Sequence, residues 1–181
     1  STWPLNGSSY YLTADDADSL SNIFTSISSQ IESPAISLGA TTQLRDIVTP
    51  YFTMPNNVND IKIYTAQATA VPSLDSITWG SRTLTDLQPT IDGRTITVSG
   101  FDYDANFVSV NQHTDGTYGQ KLIIEFTVIL RDGFLGGNAV PTNGDTSGVY
   151  TSDGTLVETF EVPTVDVPIP DVSVSVEDKN V

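Results

Sequence analysis

The sequence predicts a mainly β fold, an antiparallel sandwich preceded by one α-helix. Three observations carry that reading. Leu122, Ile124, Phe126, Val128 and Leu130 alternate with Lys121, Ile123, Glu125, Thr127 and Ile129, a period of two with one wholly apolar face. Short β-branched and aromatic runs recur at hairpin spacing from Ala35 onward, separated by Gly, Pro, Asn and Asp. Between those runs there is no helical stretch long enough to serve as a crossover, so the strands pair antiparallel.

Residues 1–9 read as a loop. Asn6-Gly7-Ser8 matches the N-glycosylation pattern, which is common by chance. Thr13 and Asp16 form a capping box, with Asp15 and Asp16 at the positive end of a helix dipole. Leu20, Ile23, Phe24, Ile27 and Ile31 follow at helical spacing, and Glu32-Ser33-Pro34 stops the run. That is the one predicted helix.

Thr41 to Val48 is a predicted strand that continues as an extended Pro-marked segment through Pro55, and Asn56 to Asp60 is a turn. Ile61 to Ala68 is a strand; Ile77 to Gly80 and Thr83 to Thr85 are two short strands around a turn. Thr90 to Val98 is the best hairpin, with Asp92-Gly93 suiting a type I′ turn. Phe101 to Val110 brings Phe101, Tyr103 and Phe107 to the core, His113 to Gly116 is a loop, and the alternating strand follows.

Asp132 to Gly148 is a long Gly/Asn/Pro loop, and Val149-Tyr150 pairs with Leu156 to Phe160 around Asp153-Gly154. Val162 to Pro170 reads as a linker, and Val172, Val174 and Val176 as the first strand of a following repeat. The result is eight to ten short strands, an immunoglobulin-like sandwich. The expected organisation is an N-terminal extension with helix (1–33), the sandwich (34–162), and a linker with a first strand (163–181). The start without Met and the stop within a pattern suggest a piece of something longer.

Seven Lys and Arg against 22 Asp and Glu give a net charge of −15, which opposes phosphate backbones and anionic lipid, so neither nucleic acid nor membrane insertion is expected. The absence of Cys excludes disulfides, thiolate metal sites and a Cys nucleophile. Abundant Thr, Ser, Val, Asp and Gly with few Lys and Arg suit an extracellular β-protein.

Candidates for chemistry are few. Asp171-Val-Ser-Val-Ser175 matches the Asp-x-Ser-x-Ser adhesion-site pattern, but too little chain follows it, and Pro168 and Pro170 precede it; a strand with Val inward is the better reading. His113 stands in a polar loop beside Asp115 without a second His or a Ser-rich elbow. Asp102 and Asp104 share a strand face and Asp15 and Asp16 a helix cap, without a visible cause for a raised pKa, so no catalytic residue is assigned and no enzyme is expected. Asn138, Asn143, Asp145 and Asp153 are calcium candidates in Gly-rich loops, where hard oxygen ligands suit Ca²⁺; the same residues are ordinary turn formers. No other cofactor is implied.

Tyr10 to Leu20, running to Phe24 and Ile27, resembles the last strand and helix of von Willebrand factor A domains in Gram-positive adhesins. Asp46 to Pro55, Val98 to Asp102, Lys121 to Val128 and Asp132 to Asn138 resemble the β-rich stalk segment that follows such domains, and Val172 to Val181 the start of another repeat. The resemblance implies a stalk or adhesion domain of a pilin-like protein at the bacterial cell wall. Its partners would be neighbouring domains of the same protein, or a host extracellular protein or glycan reached through the Asp132–Gly148 loop or Trp79, Tyr103 and Tyr118. Sandwiches of Gram-positive pili often carry an isopeptide bond joining Lys to Asn beside a buried acid; Lys121, Glu125 and Asn138 are the candidates here. The metal-dependent adhesion site of the preceding domain does not carry over to any residue of this chain.

Overall fold

The computed structural model describes residues 39–168 and, at the level of backbone, 22–28. The organising strand is the one that alternation predicts. Gln120–Val128 lies between Asn22–Ser28 on one side and Lys62–Ser73 on the other, and Ser76–Leu84 completes a four-stranded antiparallel sheet. We number the strands in chain order: β1 (Asn22–Ser28), β2 (Gln43–Ile47), β3 (Lys62–Ser73), β4 (Ser76–Leu84), β5 (Pro89–Asp92), β6 (Thr95–Ser99), β7 (Gln120–Val128), β8 (Gly137–Pro141), β9 (Gly148–Tyr150), β10 (Leu156–Thr159) and β11 (Thr164–Val167).

The first sheet runs β1-β7-β3-β4, the second β10-β9-β2-β6-β5, and β11 pairs with β8. All three feed one apolar core: Leu44, Ile96, Val98 and Val149 from the second sheet; Ile63, Leu122, Ile124, Phe126 and Val128 from the first; Val140, Val165 and Val167 from the β8–β11 pair. Phe52, between β2 and β3, is fully buried in it and bridges to Leu130. The chain is therefore mainly antiparallel β.

The N-terminal helix is corrected where the structure describes it. Asn22–Ser28 is a strand, paired with β7 from Asn22↔Val128 to Ser28↔Leu122. Ile23, Phe24, Thr25 and Ile27 are good strand formers; Ile23, Thr25 and Ile27 satisfy period two while Ile23, Phe24 and Ile27 satisfy the helical spacing, and the open ladder of β7 decides between them. The rest of the expected helix and its capping box lie outside the described residues, as do the strand over Val172–Val176 and the Asp171–Ser175 pattern.

Other local readings are refined. The two short strands after Ala68 are one strand, β4, whose turn lies at Leu74-Asp75 and whose register against β3 shifts at several points. The Asp92-Gly93 hairpin forms, but Asp92 pairs with Thr95, so Gly93 and Arg94 make the turn. Only Gly93 has positive φ (57°), which fits a type II′ pattern rather than I′. Between Phe101 and Val108 the chain makes a one-turn helix, α1 (Tyr103–Asn106), with Phe101 and Tyr103 packed edge to face. The expected long loop holds β8, and the expected linker holds β11, whose Val165 and Val167 are buried in the common core.

Candidate functional site

The β2–β6 pair places one carboxyl group where sequence periodicity would put an aliphatic side chain. Along β2, Leu44, Asp46 and the following Val48 face inward while Gln43, Arg45 and Ile47 are only partly covered. Asp46 is fully buried, opposite Ile96 of β6. Asn143 reaches it from beyond β8 and donates from Nδ2 to Asp46 Oδ1. Asp46 Oδ2 has no hydrogen-bond partner among the described residues. Burial pushes the Asp46 carboxyl up to about 7, with the Asn143 hydrogen bond opposing that rise only in part.

The backbone around Asn143 is tied to β2 and its extension. Asn143 bridges Val48, the Gly144 amide donates to Ile47 O at 2.6 Å, and Ser147 Oγ accepts from Ile47 N at 2.9 Å. Thr142 Oγ1 lies 2.6 Å from Asn143 Oδ1 and 3.0 Å from Pro163 O. The pair is thus a carboxylic acid and a carboxamide held in the apolar interior. It can hold a proton at neutral pH, yet its burial leaves no room for a substrate.

The calcium candidates are not assembled. Asn143 is spent on Asp46; Asp153 accepts from Thr151 Oγ1 and the Thr155 amide within its own turn; Asp145 is exposed, and Asn138 lies on β8. Hydrogen bonds from Thr151 and Thr155 hold the Asp153 carboxyl below its ordinary range. Among the described residues no three His, Cys, Asp or Glu side chains are placed so that they could hold a metal ion together.

The isopeptide candidates are dispersed as well. Lys121 Nζ sits 4.4 Å from the centre of the Trp79 ring, and Glu125 accepts from Arg82 at 2.8 Å. Asn138 is on a strand whose partner is β11. Burial lowers the Lys121 pKa, and Arg82 adds to that direction. His113 is half-buried against the Phe107 ring, its Nε2 2.8 Å from Phe107 O. Asp102 and Asp104 do not share a strand face: Asp102 caps α1 by accepting from the Ala105 amide, and Asp104 is in the helix's first turn. Tyr103 is buried, while Trp79 and Tyr118 pack on a small cluster of Ala68, Val71 and Val108.

A shallow groove lies beside the edge of β4, lined in part by Ile61, Lys62, Leu84, Leu87 and Pro89. Its volume of about 150 Å³ is below that of ordinary small-molecule sites. The feature that sequence reading passed over is Asp46. Its signal was present: an Asp at an inward position of an alternating run. In comparisons with known proteins, no protein family, no curated protein and no solved structure matches the chain.

Proposed function

We propose that the chain is a structural stalk or adhesion domain of a bacterial cell-wall-anchored surface protein, an immunoglobulin-like sandwich that displays and spaces its neighbours without catalysing a reaction. The observation that carries this reading is the shared core. Side chains from three sheets, among them Leu44, Ile63, Ile96, Leu122, Ile124 and Val167, together with Phe52 from the segment between β2 and β3, are almost wholly removed from water. The most strongly shifted carboxyl among the described residues is sealed inside that core rather than facing a cleft. An acidic surface, at net charge −15, keeps such a spacer soluble and apart from its copies. The residues resembling adhesin stalk segments supply the cell-wall setting.

The test is single-molecule pulling of the chain flanked by marker domains. A single resolved unfolding step is expected, and extension without a step would remove the load-bearing reading.

A ligand-binding adhesin module is the second reading, favoured by one patch. Leu135 is 74 % exposed, Ile129 50 % and Tyr51 39 %, and Tyr51 leans on Phe134 at 5.3 Å between ring centres. These residues lie on or beside the loop expected to meet a ligand. Saturable binding to an immobilised host matrix protein or glycan, lost in Leu135→Asp, would favour this reading over a plain stalk.

A further inference from the structure

Asn143 is followed by Gly144, and that pair carries a chemistry of its own. A glycine amide, without a Cβ beside it, is the least hindered backbone nucleophile toward the carboxamide of the preceding Asn. In the folded protein both reacting groups are held. The Gly144 amide donates to Ile47 O at 2.6 Å, and the Asn143 carboxamide is fixed between Asp46 Oδ1 and Thr142 Oγ1. The Gly144 carbonyl accepts from the Ser147 amide at 3.0 Å, which closes the turn behind it. Asn143 is 5 % exposed.

We propose that Asn143–Gly144 is a modification site gated by unfolding: silent in the closed domain, deamidated when β2 and the Asn143 segment separate, and unable to close again once converted. In the open chain the Gly144 nitrogen attacks Asn143 Cγ and loses its proton. The Cγ–Nδ2 bond breaks, the amide nitrogen leaves as ammonia, and a five-membered imide remains. Water then opens either imide carbonyl, leaving aspartate or isoaspartate at position 143. No electrons are exchanged, and water is the only co-reactant.

The product is incompatible with the site it came from. Aspartate at 143 would replace the Asn143 Nδ2 donor to Asp46 Oδ1 with a second carboxyl group, beside an Oδ2 that has no partner among the described residues. Two carboxyl groups would then share a dry site. Isoaspartate would also lengthen the main chain between β8 and the turn, where the Val48↔Asn143 bridge and the Thr49–Thr142 hydrogen bond require fixed spacing. A domain that opens for long enough is therefore marked permanently. The inference rests on this geometry and stands whether or not the domain is a stalk.

The test uses the whole chain in mildly alkaline buffer, native and in denaturant, with peptide mapping of the Asn143 segment over time. The other Asn–Gly pair, Asn6–Gly7, lies outside the described residues and is read as a separate peptide. Conversion at Asn143 is expected to be at least about a hundredfold slower in the native sample, because only the open fraction of a stable domain reacts. Equal rates in the two samples would overturn the gate. In denaturant, Gly144→Ala is expected to slow conversion; an unchanged rate would overturn Gly144 as nucleophile. Finally, protein converted in denaturant and then diluted is expected to lose most of the refolded fraction that freshly denatured protein regains. Equal recovery would overturn the one-way step.

Discussion

Asp46 and Asn143 lie 97 positions apart in the chain and meet through a side-chain hydrogen bond inside the core. The carboxyl group gains a donor there, while its second oxygen has no partner among the described residues. Burial makes the ionised form costly, and the fold therefore favours the protonated acid below about pH 7.

A pH dependence of stability follows from that site. The folded-state pKa is raised from 3.8 to about 7. Below 3.8 both folded and unfolded chains carry the proton and Asp46 adds no penalty; above it the unfolded chain ionises while the folded one does not. The penalty grows as pH rises and is complete above about 7, reaching about 4 kcal/mol. Denaturant titrations of the wild type and Asp46→Asn across this range are expected to diverge, the variant becoming relatively more stable as pH rises. A constant difference between the two curves would contradict the buried acid.

Removing the partner instead of the acid has the opposite consequence. Asn143→Ala leaves both Asp46 oxygens without a donor in the interior, a loss of about 1–3 kcal/mol. The Asn143 hydrogen bond lowers the Asp46 pKa, so its loss raises that pKa further. The decline of stability with pH is then expected to start at the same pH but to continue to higher pH than in the wild type, and the melting temperature near neutrality is expected to fall.

How much of this was legible in the sequence depends on where each signal resides. The β7 strand was legible because Leu122 to Val128 alternate and both flanks carry glycine. The β9–β10 hairpin was legible because Asp153-Gly154 is a local turn signal. Over Asn22–Ser28, Ile23 and Ile27 fit both periods, and the decision lies with β7, far downstream. In the same way β11 looked like linker because its partner β8 was hidden inside a Gly-rich stretch, and neither strand is evident without the other. Asp46 was visible as an acid at an apolar position; the Asn143 pairing that gives it meaning is tertiary.

A glycine position gives a sharper structural test. Gly119 has φ of 95°, and a Cβ there would stand 2.2 Å from Phe107 O and 2.7 Å from Asn106 O. Both atoms are backbone, so no side-chain rotation relieves the collision. Gly119→Ala is expected to cost more than about 3 kcal/mol, from the left-handed conformation and the forced shift together. Gly116, at φ 83° with open space around it, serves as control. Gly116→Ala meets only the conformational cost of roughly 1–2 kcal/mol. Equal losses for the two variants in urea unfolding would show that the Phe107 backbone yields.

Arg94 supplies the last test, because its charge and its shape can be separated. It follows Gly93 in the β5–β6 turn and donates from Nε to Val48 O at 2.7 Å, while Nη2 donates to Thr49 O and Phe52 O. One guanidinium thus satisfies three carbonyls of the segment that carries Phe52 into the core. Lysine keeps the charge but presents it as a single point without the planar fork. It can satisfy part of this set while leaving at least one carbonyl poorly paired. Arg94→Lys is therefore expected to cost about 1–3 kcal/mol, the range for losing a charge-assisted hydrogen bond. Arg94→Met, which keeps much of the stem and removes every donor, is expected to cost more. Amide exchange at Phe52, whose N–H donates to Thr49 O at 3.2 Å, should quicken in the same order. Equal behaviour of the Lys variant and the wild type in both measurements would mean that positive charge, rather than the three-carbonyl clamp, is what this turn requires.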